Sequence, residues 1–151
     1  MPNTYSQLYI QIVFAVQGRK NLIKESFREE LQKYASGIIH NKKQKLFAID
    51  FRPDHAHVFV SIQPDKSVSA LVSEIKSNTS SFVKQKTKLD FSWQTGFGAF
   101  SYSKSQAPSV VNYILNQHEH HKIKTFREEY LELLKEFDVE FDHRFLFEFY
   151  E

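Results

Sequence analysis

The sequence predicts an α+β fold of the ferredoxin-like, split βαβ kind: β-α-β-β-α-β followed by further helices. Three observations carry that prediction. Leu8, Ile10, Ile12, Phe14 and Val16 alternate with Gln7, Tyr9, Gln11 and Val13, which is the period of a long strand. Two stretches of helical periodicity bracket a pair of short apolar runs joined by Arg52-Pro53-Asp54. A final strand-like run then opens after Gly96 and Gly98. Such an order puts both crossover helices on one face of an antiparallel sheet and leaves the other face free.

Each element has its own local reason. After the first strand, Ser26 and Glu29 have the spacing of a capping box, and Phe27, Leu31, Tyr34, Ala35, Ile38 and Ile39 recur at helical spacing, so a helix is expected near 26–40. Leu46 to Phe51 reads as the second strand and His55 to Ile62 as the third, antiparallel to it, ended by Gln63-Pro64-Asp65-Lys66. Val68, Leu71, Val72, Ile75 and Phe82 mark a second helix over about 67–86, and Ala99 to Ser103 a fourth strand. Pro108 suits the first turn of a helix covering about 108–121, and the Thr125/Glu128 pair starts another near 126–137. No repeat, low-complexity tract or linker interrupts residues 1–151, which are expected to form a single domain.

Composition narrows the functional classes. No apolar run approaches the length of a membrane span, and the N-terminus lacks the pattern of a secretion signal, so a cytoplasmic protein is expected with no membrane partner. The absence of cysteine removes thiol nucleophiles, disulfides and cysteine zinc sites. Any metal must therefore be held by His, Asp, Glu, Gln or Asn. A net charge of +2, from 20 basic and 18 acidic residues, does not by itself indicate a nucleic-acid partner. Its distribution is uneven: Lys42-Lys43-Gln44-Lys45 and Lys76, Lys84, Lys86 and Lys88 lie in the first two thirds, whereas Glu128 to Glu151 is acidic.

The stretch PDHAHVFV, Pro53 to Val60, carries the chemistry. Alternation on a strand puts His55, His57 and Phe59 on one face and Ala56, Val58, Val60 and Ile62 on the other, where the aliphatic set can pack under the helices. The imidazoles then sit roughly 6–7 Å apart at the backbone and can converge on one divalent ion. On spacing alone a His-x-His pair is more often structural than metal-binding. A third ligand and a reacting group would decide the matter, and the helix after Pro108 offers both. Val110, Val111, Ile114 and Leu115 form its expected buried stripe, beside a second stripe of Tyr113, Gln117 and His120 at i, i+4 and i+7. A tyrosine hydroxyl can attack a phosphodiester when a cation withdraws charge from the phosphate. A carboxamide oxygen is a neutral ligand suited to Mg²⁺ or Mn²⁺. Equally, Tyr113 is one of seven tyrosines and can simply rim the core.

Taken together these motifs resemble the single-tyrosine HUH transposases of the insertion sequence two hundred / six hundred five group. His55-Ala56-His57 is similar to the HUH motif, Tyr113 to His121 (YILNQHEHH) to the tyrosine helix, and Gly98-Ala99-Phe100-Ser101 to the segment before it. The likeness extends from the start (QIVFAVQGR) to the tail (VEFDHRFLF). Ala56 departs slightly, since larger aliphatics are common at the central position of the motif. The resemblance implies that His55, His57 and Gln117 hold Mg²⁺ or Mn²⁺. It also implies that Tyr113 attacks single-stranded DNA, forming a 5′-phosphotyrosine and a free 3′-hydroxyl before strand transfer rejoins the ends. The substrates implied are hairpins at the ends of an insertion sequence. The implied assembly is a homodimer whose tyrosine helices complete the partner's metal sites in trans. Arg52, Lys76 and Lys104 are candidate phosphate contacts with no counterpart in a family motif. His118, His120 and His121 are open between DNA contact and capping of a helix C-terminus, with His121 also a candidate further ligand. Two alternatives stand beside the transposase: a host-adapted nickase that binds palindromes with the same chemistry, and a catalytically silent nucleic-acid-binding module.

Overall fold

The computed structural model describes residues 3–150. Four strands, β1 (Tyr9–Ala15), β2 (Lys45–Phe51), β3 (His55–Ser61) and β4 (Gly98–Tyr102), form one antiparallel sheet in the order β2-β3-β1-β4. The crossovers are α1 (Glu25–Asn41) and α2 (Val68–Thr87). Beyond β4 lie α3 (Ala107–Leu115), α4 (Gln117–His120) and α5 (Phe126–Glu136). This is the ferredoxin-like arrangement that the element order predicts.

On the face under α1 and α2, Ile12, Phe14, Ala56, Val58 and Val60 pack with Leu31, Ile39, Leu71 and Ile75, all fully buried. The expected alternation of β3 is therefore realised. The opposite face, expected to be free, is covered. Val110 and Ile114 of α3 lie on Ala48 and Phe59. Phe126, Tyr130, Leu133 and Leu134 of α5, with Phe147 of the tail, lie on Val13, Ala15 and Phe100. The physical reason is that this face also carries large apolar side chains, which need cover from something other than the crossover helices. At Gly98 the cover comes so close that an added Cβ would stand 2.7 Å from the Tyr130 hydroxyl.

Several local expectations shift. The Ser26/Glu29 capping box does not form: Lys24 is the N-cap and no side chain caps α1. Ile23, whose N–H donates to the Pro53 carbonyl at 2.7 Å, fixes the entry, so that Ser26 already lies inside the first turn. Helix α2, by contrast, is capped by Ser67, whose hydroxyl accepts from the Ala70 N–H at 3.0 Å. The Thr125 cap of α5 is realised too, accepting from Glu128 N–H at 3.1 Å. The helix expected over 108–121 breaks at Asn116, with φ −102° and ψ 20°. The break turns Gln117 fully inward, while Leu115, expected on the buried stripe, is 62% exposed. Among the described residues no helix is long and apolar enough to cross a membrane.

Candidate active site

Strand pairing sets the histidines. Ala15 lies opposite His55 and Val13 opposite His57 on the face covered by α3 to α5, so both imidazoles are at most 1% exposed. Their ring centroids are 5.2 Å apart. The His55 ring stacks flat on Phe126, 3.9 Å away at an interplanar angle of 4°, which locks its orientation.

Each ring has a defined partner at Nδ1. His55 Nδ1 is 2.7 Å from Asp54 Oδ1 and His57 Nδ1 is 2.8 Å from Gln11 Oε1. A carboxylate or carboxamide oxygen accepts, so both Nδ1 atoms carry hydrogen and the Nε2 atoms face inward. Burial, only partly offset by the hydrogen bond to Asp54, pushes the His55 pKa down and favours the neutral ring. Its Nε2 then presents a bare lone pair, and no hydrogen-bond partner meets it. A buried nitrogen without a partner is costly in a folded protein, and this one points into a cluster of further donors.

Glu129 of α5, which the sequence reading did not single out, stands at the centre of that cluster. It is 3% exposed. Its Oε1 lies 2.9 Å from His57 Nε2, 3.4 Å from His121 Nε2 and 3.7 Å from His55 Nε2. Its Oε2 accepts from Gln117 Nε2 at 3.0 Å and, in a short hydrogen bond, from the Tyr113 hydroxyl. Burial opposes ionisation of Glu129, yet the surrounding His57 and His121 outweigh it and hold the carboxyl well below the usual carboxylate range. Tyr113 responds in the opposite sense: burial, then the Glu129 charge, pushes its phenol well above the ordinary tyrosine value. His55, His121 and Glu129 together present ligand atoms within 4.8 Å of one another, a spacing suited to one ion.

The structure therefore gathers His55, His57, Tyr113 and Gln117 into one site within a single chain. The tyrosine ring lies 6.2 Å from the His57 ring and stacks on His120 at 4.5 Å. Gln117 is placed with its nitrogen toward Glu129 and its oxygen accepting from His121 Nε2 at 2.8 Å. A cleft of about 460 Å³ opens beside Tyr113 and Glu129, with Gln11, Tyr102, Ser105 and Lys124 on its walls.

The basic candidates are placed differently. Arg52 is buried, donates twice to Asp50 at 2.7 and 2.9 Å, and reaches His118 Nδ1 at 3.3 Å, tying α4 to the start of β3. Lys76 donates to the Gln94 and Gly96 carbonyls at 2.8 and 2.6 Å, and burial pushes its pKa down. Lys104 is exposed in the turn leading into α3. A signal for Glu129 did exist in the sequence. It shares the apolar stripe of Phe126, Tyr130 and Leu133, where a lone carboxylate requires a buried partner.

The site thus sits on a four-stranded ferredoxin-like sheet whose strand histidines face a helical tyrosine. The chain belongs to the IS200-like transposase family: the family model described as "Transposase IS200 like" matches residues 4–117. Two solved structures share the fold. One is a candidate transposase from Deinococcus radiodurans, with TM-score 0.62 and 16% identity over 76% of this chain and 94% of that one. The other is a REP-associated tyrosine transposase bound to a REP hairpin, with TM-score 0.59 and 17% identity over 93% of this chain and 90% of that one. No curated protein matches the chain significantly.

Proposed function

We propose that this protein is a metal-dependent single-stranded DNA transposase in which Tyr113 is the nucleophile. The observation that carries the proposal is the meeting of the Tyr113 hydroxyl, the two β3 histidines and Gln117 in one buried cluster beside an open cleft. His55 and His57 fit a cation through their inward Nε2 atoms, with Gln117, once its carboxamide turns its oxygen inward, as a third ligand. His121 and Glu129 are further candidates at the same place. Mg²⁺ or Mn²⁺ bound there would withdraw charge from a phosphate.

The residues of the chain do the rest. Asp54 holds His55 in the tautomer that frees its Nε2, and Gln11 orients His57, whose Nε2 meets Glu129 until a cation takes that place. The Tyr113 oxygen attacks phosphorus, the bond to the 3′ oxygen breaks, and the electron pair and a proton end on that oxygen. The products are a 5′-phosphotyrosine and a 3′-hydroxyl. Attack of a 3′-hydroxyl on the phosphotyrosine restores a DNA phosphodiester and returns the phenol, so the cycle needs neither hydrolysis nor a high-energy cofactor. Family membership supports hairpin-bearing DNA as the substrate, a cytoplasmic site of action, and a homodimer that exchanges tyrosine helices between protomers. Lys104 is a surface residue available for phosphate contact, whereas Arg52 and Lys76 are engaged within the protein.

The test is incubation with labelled single-stranded DNA from beside the coding region, plus Mg²⁺ or Mn²⁺, followed by denaturing electrophoresis. A protein-linked product is expected, and Tyr113→Phe should abolish it while hairpin binding persists. An adduct retained by Tyr113→Phe would remove Tyr113 from the role. Binding that ignores chelator, with no adduct in any metal, would instead indicate a silent binding module. Likeness along most of the chain to the hairpin-bound REP-associated structure favours one second reading, a palindrome-binding nickase with the same chemistry. Hairpins flanking the coding region next to a short target-like sequence would separate the two.

A further inference from the structure

We propose that Glu129 is the residue that positions Tyr113 for attack, a role that rests on the reading of Tyr113 as nucleophile and holds equally for an exchanged tyrosine helix, whose phenol would meet the same carboxylate. The geometry is specific. Glu129 lies on α5, outside the segment matched by the family model, and its carboxylate is buried at the one point where the tyrosine helix meets β3. One oxygen faces the histidines, 2.9 Å from His57 Nε2, where a cation bound between them would hold it in turn. The other accepts both the Tyr113 O–H and the Gln117 N–H, which sit one helical turn apart across the break at Asn116. A single carboxylate thus ties the tyrosine of α3 and the carboxamide of α4 to the imidazole of β3.

Without that tie, the phenol ring keeps its stack on His120, its edge contact with the His57 ring and its packing beside Val110 and Ile114, but its oxygen loses the carboxylate acceptor that fixes it. The placement of Glu129 is itself fixed. Thr125 caps α5, and Phe126 and Tyr130 bury the stripe on either side of Glu129 against β1, β4 and the tail. Tail residues Phe147 and Phe149 pack on Phe126 and Tyr130, so the C-terminal segment supports the nucleophile through this one side chain. Displacement of a reacting atom by about 1 Å can cost a factor of about 100 in rate. Loss of the tie should therefore appear in the first-order rate of adduct formation rather than in DNA affinity.

The experiment uses the full chain, with single-stranded oligonucleotides carrying the hairpins that flank its coding region and Mn²⁺. Glu129→Gln keeps the shape but supplies one acceptor oxygen in place of two, and should slow adduct formation at saturating DNA about tenfold to a hundredfold. The concentration of DNA at half-saturation should not change. In parallel, the metal-free protein is labelled with ¹³C at tyrosine Cζ, and the Tyr113 signal is identified by its loss in Tyr113→Phe. That signal should move in Glu129→Gln, a readout that needs neither metal nor turnover. An unmoved Tyr113 resonance, or an unchanged rate at saturating Mn²⁺, overturns the positioning role. If the unsubstituted protein itself forms no adduct, the transposase reading fails first and this role falls with it, which keeps the two failures apart.

Discussion

The two faces of the sheet are cut from the same strands and are both buried, yet they are stabilised in different ways. Under α1 and α2, β1 and β3 contribute only apolar side chains, and the packing is satisfied by shape alone. On the other face the same two strands contribute Gln11, His55 and His57 among Val13, Ala15 and Phe59, and every polar group there requires a partner. Asp54 partners His55, Gln11 of β1 partners His57, Tyr102 of β4 accepts from Gln11, and the roof supplies Glu129 of α5 to His57. One face holds the fold, while the other buries a constellation that is incomplete in one respect: the bare Nε2 of His55.

Breaking the apolar face should have the largest effect on stability. Phe14→Ala removes a fully buried ring that meets Trp93 at 4.7 Å and Phe51 at 6.5 Å, and should cost about 3–5 kcal/mol in denaturant unfolding. The polar face is sharpened instead by a cation. If the His55 nitrogen is a ligand, Mn²⁺ at a hundredfold excess over its dissociation constant should stabilise the protein by about 2.7 kcal/mol, and His55→Ala should lose that gain. A third and smaller contrast concerns the helices that cover each face. Thr125→Ala at the start of α5 should cost about 1 kcal/mol, because a realised cap is lost. Ser26→Ala in α1 should stay within about 0.5 kcal/mol, because no cap exists there; equal losses would put the α1 boundary in the wrong place.

Much of the candidate site is legible in the residues themselves. His55, His57, Tyr113 and Gln117 could be singled out because strand and helix periodicities assign each side chain to a face, and those periods are local properties of the backbone. Glu129 was not, for two reasons. It belongs to none of the motifs that carry the family resemblance, and a carboxylate on an apolar stripe can be read from sequence only as needing some partner, not as meeting these ones. The basic candidates show the converse limit. Arg52 and Lys76 carry charge in the sequence, but whether that charge faces solvent or a carbonyl depends on what folds over it.

Residues near in sequence settled the order of elements, the separation of β3 into an aliphatic and an imidazole face, and the spacing of phenol and carboxamide by one helical turn. Only the tertiary structure decided that the second face would be roofed, that the helix would break at Asn116, and that a single carboxylate from α5 would collect the tyrosine, the glutamine and the histidine. The reason is physical: periodicity is set by neighbours along the chain, whereas the partner of a buried polar group is set by whichever distant segment pays the desolvation cost alongside it.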